Sequence, residues 1–82
     1  MPKKKLLGIV INNYNNVRYG DFVVLLNAFG FVCMRTRGSH NIYRNHKIKR
    51  NINAQNVQGQ AKGYQIRQFL AMVEEFQLVM ED

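Results

Sequence analysis

Apolar positions along the chain follow a helical period, then a strand period, then a helical period again. Leu7, Val10, Ile11 and Tyr14 fall at helical spacing and predict a short helix over 3–13, although Gly8 and the β-branched Ile9-Val10-Ile11 leave a strand open there. Phe22, Leu25, Leu26 and Phe29 follow at i, i+3, i+4 and i+7, with Asp21 as the expected N-cap and Gly30 as the stop. From residue 31 the pattern turns β-rich. Segment 31–37 reads as a strand, Gly38-Ser39 as a turn, 40–44 as a strand around Ile42, Asn45-His46-Lys47 as a second turn, and 48–54 as a third strand alternating Ile48, Arg50, Ile52 and Ala54. A polar loop QNVQGQ follows, and Ile66, Phe69, Leu70, Val73 and Phe76 form one stripe of a closing amphipathic helix over 62–76.

The predicted order is helix, helix, three antiparallel strands, helix: an α+β fold in one domain spanning 1–82. One sheet face must be covered by the flanking helices, because nothing else in the chain can bury it. At 82 residues a second domain is excluded. The single cysteine, Cys33, excludes an internal disulfide framework and a cysteine-based zinc site, and reads as a small buried apolar residue in a reducing cytoplasm. The N-terminal apolar run covers only Leu6 to Ile11 and leads into NNYNN, so neither a signal peptide nor a membrane span is expected.

Charge changes the picture more than composition does. The chain has 12 Lys+Arg against 5 Asp+Glu, a net +7, and four of the five acids lie after residue 73. Residues 22–73 carry eight Lys/Arg and no acid at all, an imbalance that suits a polyanion such as nucleic acid; the alternative is a merely solvated basic surface. Segment 35–50 gathers Arg35, Arg37, Arg44, Lys47, Lys49 and Arg50 with both histidines and Tyr43. If Ile42 points into the core, Asn41 and Tyr43 face out and His40 lies at the sheet edge beside Gly38, whose missing side chain allows close approach of a ligand. His40 can exchange protons near neutral pH, with Arg35 and Arg37 neutralising phosphate. It can equally be a turn histidine with a local hydrogen bond, the commoner role for a lone imidazole without a carboxylate beside it. His46, in a basic turn, reads as solvent-exposed. The residues before the last helix, with Lys62 and Arg67, form either an anion site at a helix N-terminus or a plain helix entry. Paired carboxylates are missing from the first 73 residues, which excludes glycosidase-type and two-metal chemistry from this chain alone, and no phosphate-loop or dinucleotide fingerprint occurs. No metal or cofactor is expected.

The run AFGFVCMRTRGSHNIYR, followed by a third strand and NVQGQAKGYQIRQFLAMVEEF, resembles the HicA (YcfA-like) mRNA interferase toxins over most of 17–78. The specific part is Gly30-Phe31 with a basic strand after it, then Arg37-Gly38-Ser39-His40 and Tyr43. The chain departs from that pattern at Asn41, often His, and at Gly63, often Pro. The resemblance implies a double-stranded-RNA-binding-like α-β-β-β-α fold with an added N-terminal helix. It also implies cytoplasmic endoribonuclease activity on translated mRNA, dependent on His40, and neutralisation by a HicB-type antitoxin. In a consistent mechanism His40 activates a ribose 2′-hydroxyl while Arg35, Arg37 or Arg44 offsets the developing charge; no second acid for the leaving group is identifiable. Gly38 and Ser39 shape the turn, and Tyr43, Lys47, Lys49, Lys62 and Arg67 complete the expected RNA contacts. Two other classes stand beside this one: a non-catalytic RNA-binding module of the same fold, and a protein-interaction domain docking an acidic partner.

Overall fold

A computed structural model describes residues 1–81. The chain forms α1 (Lys3–Asn12), α2 (Tyr19–Ala28), β1 (Phe31–Arg37), β2 (His40–Asn45), β3 (Arg50–Val57), β4 (Gln60–Ala61) and α3 (Gly63–Glu75). The four strands make one antiparallel sheet in sequential order. The fourth strand was not expected. Gln55, Asn56 and Val57 extend β3 instead of opening a loop, and Gln58-Gly59 turns the chain at positive φ, +53° and +87°, so that Gln60-Ala61 pairs back. Asn56 Oδ1 accepts from Gly59 N at 2.7 Å and closes that turn.

The helix termini also differ from expectation. Arg18, not Asp21, is the N-cap of α2, and Asp21 stands within the first turn, where its carboxylate complements the positive end of the helix dipole. Gly30 does end the helix, at φ +88°. In α1 the buried pair is Leu6 and Val10, while Ile11 from the predicted stripe is 52% exposed.

The core lies between one sheet face and the layer of α2 and α3, with α1 packed on α2. Its centre is Phe69 of α3, fully buried, with Phe22, Phe29 and Phe31 edge-on around it at ring separations of 5.7, 5.6 and 6.0 Å. Two buried amides fix the layers. Asn45 Nδ2 donates to Phe29 O at 3.0 Å, and its Oδ1 accepts from Lys47 N and Ile48 N, so one side chain ties β1's entry to the β2–β3 turn. Gln65 of α3 accepts from Gln55 N at 2.8 Å, pinning the helix to β3.

The facing of β2 is opposite to the expectation. Register pairs Tyr43 with Ile52 and Asn41 with Ala54, and residues directly opposite share a face. The apolar Ile52 and Ala54 turn inward, so Tyr43 is buried and Ile42, paired with Asn53, lies on the uncovered side. A one-residue change of parity moves every side chain of a strand to the other face. Asn41 therefore sits on the helix side, where Thr36 Oγ1 donates to its Oδ1 at 2.7 Å and its Nδ2 donates to Tyr19 Oη at 2.6 Å. Cys33, expected to be buried, is exposed on the edge strand β1.

The Tyr19 and Tyr43 hydroxyls meet in this layer. Burial and the neighbouring Tyr43 push the Tyr19 phenol up to about 12, and burial pushes Tyr43 up as well. A phenol whose folded pKa exceeds its unfolded value near 10 stabilises the fold fully below about pH 10 and loses that contribution as pH rises towards 12. Chemical stability measured by circular dichroism is expected to fall across that window. In an ultraviolet phenolate titration, Tyr19→Phe should remove the step at highest pH.

Candidate functional site

The candidate site lies on the uncovered sheet face. Arg35 and Arg37 of β1, His40 and Ile42 of β2 and Asn53 of β3 line a shallow cleft of about 250 Å³. An irregularity in β1 makes this constellation. Strict alternation from the buried Phe31 would turn Arg35 and Arg37 towards the helices, where two guanidinium groups would lose their hydration. The register with β2 shifts between Cys33 and Arg35, so Met34 is the extra residue of a bulge. Beyond it Arg35 pairs with Ile42, Thr36 with Asn41 and Arg37 with His40, which places both arginines on the cleft side.

The β1–β2 turn is two residues long, and Gly38 takes φ +60°, a conformation a side chain disfavours. Nothing lies within 4 Å of where a Cβ would sit on Gly38, so the backbone is open to a ligand there. Ser39 O accepts from Asn56 N at 3.0 Å, which anchors the turn to β3. His40 is exposed, opposite Arg37 on one side and Gln55 on the other, and its Nδ1 lies 3.2 Å from Asn53 Nδ2. Arg44 lies on the same face and donates to Asn51 Oδ1 at 3.0 Å.

Of the residues singled out from the sequence, Arg35, Arg37, Gly38, Ser39, His40 and Arg44 therefore come together. Tyr43 does not: its ring is 6% exposed and its hydroxyl meets Tyr19, so it belongs to the core and offers no stacking surface. Lys47 and Lys49 lie in the β2–β3 turn with exposed His46, at the far end of β2 from His40. Lys62 and Arg67 belong to the helix layer, where they lie over the rings of Tyr64 and Tyr14 at 5.8 and 5.7 Å, and neither lines the cleft.

Asn53 and the Met34 bulge were not read from the sequence. The amide row was legible: with Ile52 and Ala54 inward, Asn51, Asn53 and Gln55 must share the other face. The bulge leaves no comparable mark, since Met34 fits a regular strand as well.

Chemically the cleft offers two guanidinium groups for an anion, one imidazole for a proton, and no carboxylate. The four described acids lie elsewhere, Asp21 on α2, Glu74 and Glu75 on α3, and Glu81 in the tail. Among the described residues no three of His, Cys, Asp and Glu come together as metal ligands. A larger apolar groove between α1, the end of α3 and the C-terminal segment has, among the described residues, Lys3, Lys4 and Glu81 as its charged groups and no histidine. No helix among the described residues is long and apolar enough to cross a membrane. No family model, curated protein or solved structure matches the chain.

Proposed function

We propose that the cleft binds RNA through phosphate and that His40 cleaves it, making the chain an endoribonuclease of the HicA type. The observation that carries this reading is the placing of Arg35 and Arg37 beside His40 by the Met34 bulge, on a sheet face with no carboxylate among the described residues. A phosphodiester held by the two guanidinium groups lies next to the imidazole, whose free nitrogen takes the 2′-hydroxyl proton. O2′ then attacks phosphorus, the P–O5′ bond breaks, and the leaving 5′-oxygen takes its proton from solvent. The products are a 2′,3′-cyclic phosphate and a 5′-hydroxyl. The arginines offset the charge that builds on the phosphoryl oxygens.

The element order around the cleft supports the likeness to a double-stranded-RNA-binding fold, and the GSH turn supports the likeness to the interferase toxins. On that reading translated mRNA in the cytoplasm is the target, and a HicB-type antitoxin neutralises the protein.

Binding should be strongly salt-dependent. With about four phosphates neutralised, affinity for single-stranded RNA falls roughly fiftyfold between 50 and 200 mM salt, and Arg35→Ala with Arg37→Ala lowers the log–log slope by about 1.4. Fluorescence anisotropy at several salt concentrations reads both; a flat response removes the electrostatic basis of the site. Cleavage is tested by incubating purified protein with an mRNA and mapping the ends. Fragments with cyclic phosphate and 5′-hydroxyl termini support the proposal, whereas tight binding with intact RNA assigns the chain to a non-catalytic RNA-binding module.

A further inference from the structure

Asn53 stands on β3 opposite Ile42 and reaches diagonally to His40, so that its Nδ2 lies 3.2 Å from the imidazole Nδ1. The Oδ1 of the same amide is buried and has no hydrogen-bond partner, a costly state for a carbonyl oxygen. Half a turn of the amide exchanges its oxygen and nitrogen with almost no movement of heavy atoms. The oxygen then meets Nδ1–H across the same gap, and the NH2 group takes the place the oxygen held.

We infer that Asn53 is the positioning residue of His40: its amide oxygen accepts from Nδ1–H, fixes that tautomer and leaves Nε2 bare towards the cleft. The inference rests on the reading of His40 as the base, because only the bare nitrogen can take a proton. An imidazole without such a partner divides between tautomers, and the Nε2–H form cannot act as a base at that atom. An amide suits this place better than a carboxylate. The charged groups facing His40 are Arg37 opposite it and Arg35 beyond, with Arg44 further along β2, while β3 contributes only Asn51, Asn53 and Gln55. A carboxylate on β3 would draw in those guanidinium groups and repel the phosphodiester; the amide orients the ring and leaves the positive field for the substrate.

The test reads the tautomer directly, without RNA. Long-range proton–nitrogen correlation on the ¹⁵N-labelled full chain, at about pH 8.5 where an ordinary imidazole is neutral, should show His40 protonated at Nδ1 and bare at Nε2. Asn53→Ala should shift His40 towards the Nε2–H form. Asn53→Asp, which keeps an acceptor, should retain Nδ1–H. In cleavage assays Asn53→Ala should lower kcat roughly ten- to hundredfold, by analogy with partners that orient metal-bound histidines, with KM changed less than about twofold. A wild-type His40 in the Nε2–H form, or an unchanged tautomer in Asn53→Ala, overturns the inference. If the tautomers behave as expected but the wild type cuts no RNA, the positioning stands and the proposed reaction falls.

Discussion

Replacing Phe69 by alanine is expected to bring the domain close to unfolding at room temperature. The ring is fully buried and is the common partner of Phe22, Phe29 and Phe31. Its removal empties the junction of α2, α3 and the sheet at once. A Phe→Ala change at such a site costs about 3–5 kcal/mol, against a total stability of roughly 4–12 kcal/mol for a chain of this length. The expected consequence is a fall in Tm of about 15 °C or more, or loss of the cooperative transition. Phe69→Leu, which keeps most of the apolar volume, should cost roughly 1–2 kcal/mol. Phe76→Ala is the control: that ring is only half-buried and lies against the Arg50 guanidinium at 5.2 Å, so its loss should cost under about 1 kcal/mol. Urea denaturation followed by circular dichroism checks all three, and a Phe69→Ala protein as stable as wild type would show that the core is centred elsewhere.

The elements whose periodicity is local were legible in the sequence. The stripe Phe22, Leu25, Leu26, Phe29 and the stop at Gly30 correspond to α2 and its left-handed terminus, and Ile66 and Phe69 do face the core from α3. Gly38-Ser39 is the turn expected between the first two strands. What escaped depends on pairing between strands. The parity of β2 is set by Ile52 and Ala54 across the ladder, and a segment in which Ile42 and Tyr43 are both apolar enough to be core cannot decide it alone. The fourth strand escaped because its two residues, Gln60 and Ala61, have no β-propensity to speak of and form a strand only as the return of a tight turn. Cys33 was expected inside because cysteines usually are, but β1 is the sheet's edge and its burial pattern is exposed after Phe31.

The candidate site was legible in part for the same reason. Arg35, Arg37 and His40 could be named from the basic segment and its turn, yet their common facing requires the bulge at Met34, which is a property of the β1–β2 register. Tyr43 shows the converse. An aromatic residue within a basic strand suggests a stacking platform, but its partner Ile52 draws it into the core.

His40→Ala is expected to abolish cleavage while leaving the fold and most of the RNA affinity in place. The side chain is exposed, so its truncation opens no cavity, and its one side-chain hydrogen-bond partner is Asn53. Loss of a general base slows a proton-transfer step by roughly a hundredfold to ten-thousandfold. The phosphate contacts proposed for Arg35, Arg37 and Arg44 do not involve the imidazole, and on that reading they set affinity. His46→Ala should be nearly silent, because His46 is exposed in the β2–β3 turn and does not line the cleft. On the proposed reading expression of the protein arrests growth, and the same change should relieve that arrest. The most direct measurement is the single-turnover rate of cleavage of one mRNA by wild type, His40→Ala and His46→Ala, each shown to be folded by circular dichroism. His46→Ala should cut at the wild-type rate, and His40→Ala should be slower by at least about a hundredfold. A folded His40→Ala protein that cuts as fast as wild type, or a dead His46→Ala, would contradict the role proposed for His40.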